Sequence, residues 1–273
     1  MSDNPDPCSY LAQARAVAQE AGERILSVYE RRFTVSEKQD GSPLTEADHA
    51  AHVLITSRLQ EVTPDIPVLS EESAAVAYEE RAAWTRLWLV DPLDGTKEFV
   101  KRNDEFTVNI ALIDNCQPVL GVVLAPALRV VYWACRGQGA FKQASGGVQQ
   151  PIQARPYSGG KATVAVSRSH PGTELAGFLQ SLTRRHGPPE TLAMGSALKM
   201  CLVAEGRVDV YARFGPTSEW DTAAAQCIVV EAGGMVVDEN FKKLQYNHGE
   251  SLINPNFLVI GDPAFDWRPY LPV

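Results

Sequence analysis

Apolar residues recur at helical spacing near the start of the chain. Leu11, Ala14, Ala18, Ala21, Ile25 and Tyr29 fall on one stripe, which predicts an amphipathic helix over 7–32. The polar, turn-rich stretch SEKQDGSPLTEAD then enters a second helix expected over roughly 45–62. Leu87, Trp88, Leu89 and Val90 form an unbroken apolar run, a strand covered on both faces, within the segment LWLVDPLDGTKEF. Pro92 is expected to stop its ladder, and Gly95 to give a tight turn its backbone freedom. The segments FTVNIALID, PVLGVVLAP, VVYWAC and GAFK follow, punctuated by Asn115, Gly121 and Gly137-Gln138-Gly139, and predict a largely antiparallel meander.

SGGVQQPIQARPYSGG, rich in Gly, Ser and Gln, marks a linker. Beyond it, KATVAVS and VDVYARF read as strands and ELAGFLQSLTRRHG as a helix stopped by Gly187. SALKMCLVAEG reads as a helix with Ser196 as N-cap and Gly206 just past its end. WDTAAAQCIVVEAGG is a small-residue, almost wholly apolar helix, hence buried. The expected class is α/β (α+β), with two fused subdomains over residues 1–158 and 159–273.

Against this apolar background the acids stand out. Asp91 and Asp94 end a buried strand, and two carboxylates about 5 Å apart repel by about 3 kcal/mol at an effective dielectric near 20. A bound cation is the first candidate to offset that. Glu71 and Glu72 follow the short strand IPVLS, Asp221 opens the small-residue helix, and Asp48 sits in the first turn of the second helix. Aspartate and glutamate without His or Cys form the donor set of a hard divalent cation such as Mg²⁺, with the Leu93 carbonyl as a neutral addition. Each distant acid also has a structural reading. Thr45 and Asp48 make a capping box, and Glu71, Glu72 and Asp221 suit first turns of helices. His49 and His52 share a helix face and read as solvated; GQGAFK lacks the residues of a P-loop. Neither a G-x-S-x-G elbow nor a cysteine with an obvious base signals covalent catalysis.

Composition narrows the partners. The 273 residues are 45% hydrophobic, enough for one large core or two smaller ones. A net charge of -8 and a pI of about 5.2 argue against a protein that coats nucleic acid, but leave room for a small anionic substrate. The five cysteines, Cys8, Cys116, Cys135, Cys201 and Cys227, are widely spaced without a C-x-x-C pair and read as free thiols in a reducing cytosol. No apolar run approaches the roughly 20 residues of a membrane helix, and MSDNPDPCSY lacks the regions of a signal peptide. The expectation is a soluble cytoplasmic protein.

In order along the chain, SEE, DPLDGT and WDTAA resemble the metal-dependent, lithium-sensitive phosphatases of the inositol monophosphatase superfamily. Within it, DPLDGTKEFVKRNDEFTVNIALI, VSRSH, GSALKMCLVAEG and RFGPTSEWDTAAA resemble the bacterial 3′(2′),5′-bisphosphate nucleotidases. Those enzymes remove the 3′-phosphate of adenosine 3′,5′-bisphosphate, a by-product of sulfate assimilation. The resemblance covers essentially the whole chain and implies a layered αβαβα sandwich with mostly antiparallel mixed sheets. It implies two or three Mg²⁺ ions held by Glu71, Asp91, the Leu93 carbonyl, Asp94 and Asp221, with Asp91 bridging. It pairs Asp48 with Thr96 beside the attacking water, and gives Glu71 a further part in catalysis. It assigns substrate contacts to Glu71, Leu93, Asp94, Gly95, Thr96, His170, Ser196, Lys199, Arg213 and Asp221. The acidic segment Asn103-Asp104-Glu105 is expected to change nothing central. Alternatives are an inositol monophosphatase, a broad sugar-phosphate phosphatase, and a phosphate-binding regulator without turnover. Members are sometimes described on the inner membrane, and the sequence carries no mark of that or of oligomeric state.

Overall fold

The computed structural model describes residues 5–31, 34–37, 43–73, 75–168 and 172–272. After a 3₁₀ turn at Pro7–Tyr10 come helix α1 (Leu11–Tyr29), the hairpin of β1 (Val35–Glu37) and β2 (Pro43–Thr45), and α2 (Glu46–Val62). Strand β3 (Val68–Ser70), a 3₁₀ turn at Glu71–Ser73, the short α3 (Tyr78–Arg81), β4 (Arg86–Asp94) and α4 (Thr96–Lys101) follow. A meander of β5 (Thr107–Asp114), β6 (Gln117–Ala125), β7 (Val130–Cys135), β8 (Ala140–Ala144) and β9 (Gln150–Ile152) completes a seven-stranded sheet in the order β3 to β9. The meander is antiparallel as expected, while β3 joins β4 in parallel. The linker is less loose than its composition implies, because Gln150–Ile152 is a paired edge strand.

The rest of the chain alternates: β10 (Thr163–Ser167), α5 (Thr173–His186), β11 (Glu190–Met194), α6 (Leu198–Ala204), β12 (Val210–Arg213), α7 (Glu219–Glu231), β13 (Met235–Asp238) and β14 (Phe257–Ile260). Its strands form a mixed five-stranded sheet ordered β11-β10-β12-β14-β13. Side-chain alternation builds the layers. Trp88, Val90, Val108, Ile110 and Leu112 face one way and bury α1 and α2; Leu87, Leu89, Ala111 and Ile113 face the other and bury α6 and α7. Ala165, Tyr211 and Val259 of the second sheet meet the same two helices, and Val164, Val210 and Leu258 cover α5 through Phe178 and Leu182. The result is the expected αβαβα sandwich.

The alanines of α7 let it lie flat between the sheets. A Cβ at Gly121 on β6 would stand 2.2 Å from the Ala224 carbonyl oxygen, so only glycine permits this approach. Three expectations need correction. Ser196 is not the N-cap of α6; Ala197 is, and Ser196 sits in the left-handed region at φ 48 because its turn is held by partners from other elements. Pro92 does not end β4: pairing skips residues 92 and 93 and resumes at Asp94 with Thr107. Cys8 and Cys135 are not free thiols but a disulfide, with Cα atoms 5.7 Å apart, because the first 3₁₀ turn packs beside the end of β7. Spacing of 127 residues hid that pair.

Candidate active site

The register of β4 explains how its two aspartates come to share a face. Asp91 pairs with Asn109 and Asp94 with Thr107, so β4 carries one extra residue, a bulge. That residue flips the alternation: Leu93 turns into the α1–α2 core, and Asp94 returns to the α7 side with Asp91. There they meet Asp221, third residue of α7. Oxygens from Asp91, Asp94 and Asp221 all lie within 4.8 Å of one another, and Glu71 reaches Asp91 by a hydrogen bond. Burial drives the Asp91 carboxyl well above its ordinary range, and Glu71, Asp94 and Asp221 drive it further. Burial, then Asp94, pushes Asp221 up to about 8, against the pull of the Ser218 N–H. Asp94 is raised by burial too, but Lys199, Asn109 and the Ala197 N–H favour its charged form. Crowded oxygen donors that resist ionisation together fit a hard divalent cation, which would relieve the repulsion.

Asp48 lies next to this group and does two jobs. As third residue of α2 it accepts the Thr45 N–H at 2.8 Å and the Thr45 hydroxyl at 2.6 Å on Oδ2, the capping box expected from T-x-x-D. Its Oδ1 accepts the Thr96 hydroxyl at 3.2 Å, and that hydroxyl also lies 3.3 Å from the Leu93 carbonyl oxygen. Asp221 repeats the device in α7, where Oδ2 takes the Ser218 N–H at 2.8 Å. Capping and site geometry are therefore not rivals here; the cap aims the carboxyl.

A cleft of about 310 Å³ opens from the acids between the two sheets. Asp94, Gly95, Thr96, Ser196, Lys199, Arg213 and Asp221 line it, seven of the expected substrate contacts. Lys199 is buried, its Nζ 2.6 Å from the Ser196 carbonyl oxygen and 5.5 Å above the Tyr211 ring. Burial lowers its pKa, with Arg213 adding to the effect and Asp94 opposing it. Arg213 donates to the Pro216 carbonyl at 2.9 Å, while its Nε is buried without a partner. A guanidinium N–H left unpaired in a cleft beside a buried lysine suits an anionic ligand.

The sequence model of the inositol monophosphatase family matches residues 6–260. The chain belongs to that family. It is 51% identical to the 3′(2′),5′-bisphosphate nucleotidase CysQ of Salmonella typhimurium over 91% of this chain and 98% of that protein. Identity to the Haemophilus influenzae protein of the same name is 39%, over 94% of this chain and 95% of that one. Among solved structures, CysQ from Bacteroides thetaiotaomicron superposes with a TM-score of 0.81 at 43% identity, covering 92% of this chain and 97% of that one. The Thermotoga maritima IMPase gives 0.77 at 27%, covering 93% and 92%. The αβαβα layering is thus the family's fold.

Glu71 meets Asp91, and the Leu93 N–H donates to Asp91 Oδ1 at 3.0 Å, but neither residue lines the open cleft. His170 lies outside the described residues. His52 is not simply solvated: its Nδ1 sits 2.9 Å from the Ser70 hydroxyl, beside Glu71. Three residues escaped the sequence reading. Asn109 is buried opposite Asp91, its Nδ2 is 3.3 Å from Asp94, and its Oδ1 has no partner. Tyr211 and Phe257 wall the cleft. A lone Asn in the apolar run FTVNIALID was a visible signal; the two aromatics, set in ordinary strands, were not. Among the described residues, no helix is long and apolar enough to cross a membrane.

Proposed function

We propose that the protein is a metal-dependent 3′(2′),5′-bisphosphate nucleotidase that converts adenosine 3′,5′-bisphosphate to AMP and phosphate. The observation that carries this reading is one cleft with clustered carboxylates at its base and two buried or half-buried cations, Lys199 and Arg213, on its wall. Its support from outside the structure is the 51% identity to a named nucleotidase over nearly all of both chains. The proposal includes a cytoplasmic setting, where sulfate assimilation generates the substrate.

Glu71, Asp91, the Leu93 carbonyl, Asp94 and Asp221 would hold Mg²⁺, which supplies charge neutralisation for the phosphoryl group and a lowered pKa for water. The protein's own groups do the rest. Asp48 Oδ1, which accepts the Thr96 hydroxyl, would take up the Thr96 proton as the Thr96 oxygen receives one from water, so the water's proton ends on the Asp48 carboxylate. Lys199 and the unpaired Arg213 Nε neutralise the second phosphate, a group that an inositol monophosphate lacks. Apolar and aromatic side chains at Met200, Tyr211 and Phe257 give the nucleoside a surface to pack on.

The test is phosphate release from adenosine 3′,5′-bisphosphate, inositol 1-phosphate and fructose 1,6-bisphosphate, with Mg²⁺ and with added lithium. The nucleotide is expected to turn over fastest and lithium to inhibit. Equal rates on all three would favour a broad phosphatase, and binding without turnover a regulator. Asp91→Asn is expected to abolish Mg²⁺-dependent release while the protein stays folded; near-normal turnover would refute the metal assignment.

A further inference from the structure

Ser196 holds a left-handed conformation, φ 48, that an L-residue keeps only when its surroundings impose it. Three side chains impose it. Glu105 accepts the Gly195 N–H on Oε2 at 2.8 Å, Asp94 accepts the Ala197 N–H on Oδ2 at 2.6 Å, and Lys199 donates to the Ser196 carbonyl at 2.6 Å. Asp94 and Lys199 both line the cleft; Glu105 does not. It is 8% exposed, just before β5, and bonded twice by Arg168 from the end of β10: Nε to Oε2 at 2.7 Å and the terminal nitrogen to Oε1 at 2.6 Å. The backbone is pressed close as well. A Cβ at Gly195 would lie 2.7 Å from the Glu105 carbonyl oxygen, and one at Gly95 would lie 3.2 Å from the same atom and 3.4 Å from Ser196 Cβ. Glu105 thus touches both the loop that carries Asp94 and the turn that carries Ser196.

We propose that Glu105 is a positioning residue whose carboxylate, aimed by Arg168, holds the Gly195-Ser196-Ala197 turn in the shape that orients Asp94 and Lys199 in the cleft. This assignment rests on the nucleotidase reading for what Asp94 and Lys199 do. It differs from a plain clasp between the two sheets, because the Gly195 N–H needs an acceptor at that point and not a charge. An amide oxygen supplies that acceptor; a methyl group does not.

The experiment compares wild type, Glu105→Ala, Glu105→Gln and Arg168→Met in the full chain. The readouts are the Mg²⁺ concentration giving half the thermal stabilisation, and kcat and KM for adenosine 3′,5′-bisphosphate. Glu105→Ala is expected to need about tenfold more Mg²⁺ and to lose at least about tenfold in kcat/KM. Glu105→Gln is expected to stay within about threefold of wild type, with Arg168→Met between the two. A wild-type Mg²⁺ midpoint in Glu105→Ala overturns the proposal, even if that variant melts earlier. So does a Gln variant as damaged as the Ala variant. If Glu105→Ala does not fold, Arg168→Met decides, and a wild-type midpoint there is negative. Wild-type protein that Mg²⁺ stabilises but that ignores the bisphosphate would sink the substrate reading, and leave the midpoint comparison intact.

Discussion

The Thr96 hydroxyl donates to Asp48 at 3.2 Å across 48 positions of sequence, and the same carboxyl caps the helix that carries it. One residue therefore joins the fold of α2 to the chemistry beside the acid cluster. Asp48→Asn keeps an oxygen for Thr45 but no longer favours proton uptake at Thr96. We expect kcat to fall by about 100-fold or more, with stability altered by only about 1 kcal/mol. Steady-state kinetics beside a denaturation curve checks this, and a kcat within about threefold of wild type counts against the pair.

The acid cluster sets a pH dependence. Asp221 is raised on folding from 3.8 to about 8, and Asp91 moves the same way. A carboxyl raised on folding binds its proton more tightly in the native state. Metal-free protein should therefore lose stability as pH climbs from about 4 through about 8. Mg²⁺ should restore most stability at the alkaline end, where the carboxylates are ionised and free to bind. Melting curves with chelator and with Mg²⁺ at about pH 5 and about pH 8.5 test both signs. Asp91→Asn should flatten the slope.

Lys199 and Arg213 should separate substrates. Lys199→Met and Arg213→Ala are each expected to lower kcat/KM on adenosine 3′,5′-bisphosphate by about 10- to 100-fold. A simple monophosphate should suffer much less. Equal losses on both would assign these cations to holding the fold or the acids, because Lys199 also secures the Ser196 carbonyl.

The Cys8–Cys135 bond closes a span of 127 residues, and neither cysteine lines the cleft. Reduction, or Cys8→Ser, should cost about 2–4 kcal/mol of stability with little change in kcat at 25 °C. Chemical denaturation with and without dithiothreitol reads the first, and an assay below the transition reads the second. A large fall in kcat of still-folded protein would tie the bond to the site.

Much of the fold is legible in the chain's local patterns. Helical stripes, the apolar run ending in Asp91 and the alternating segments are local signals, and they located the elements because burial on one face leaves a period in the chain. The donor chemistry was legible too, since two acids ending a buried strand have little structural reason to be there. DPLDGT and WDTAA carried the family.

What the sequence could not supply was convergence and aim. The bulge that turns Asp94 back beside Asp91, the left-handed turn at Ser196, the Cys8–Cys135 pair and the reach of Glu105 to Gly195 all join residues far apart along the chain. Each depends on which elements pack together, so a local pattern of polar and apolar positions has no way to record it. Residue chemistry determined what this protein is able to hold; tertiary packing decided where the oxygens meet.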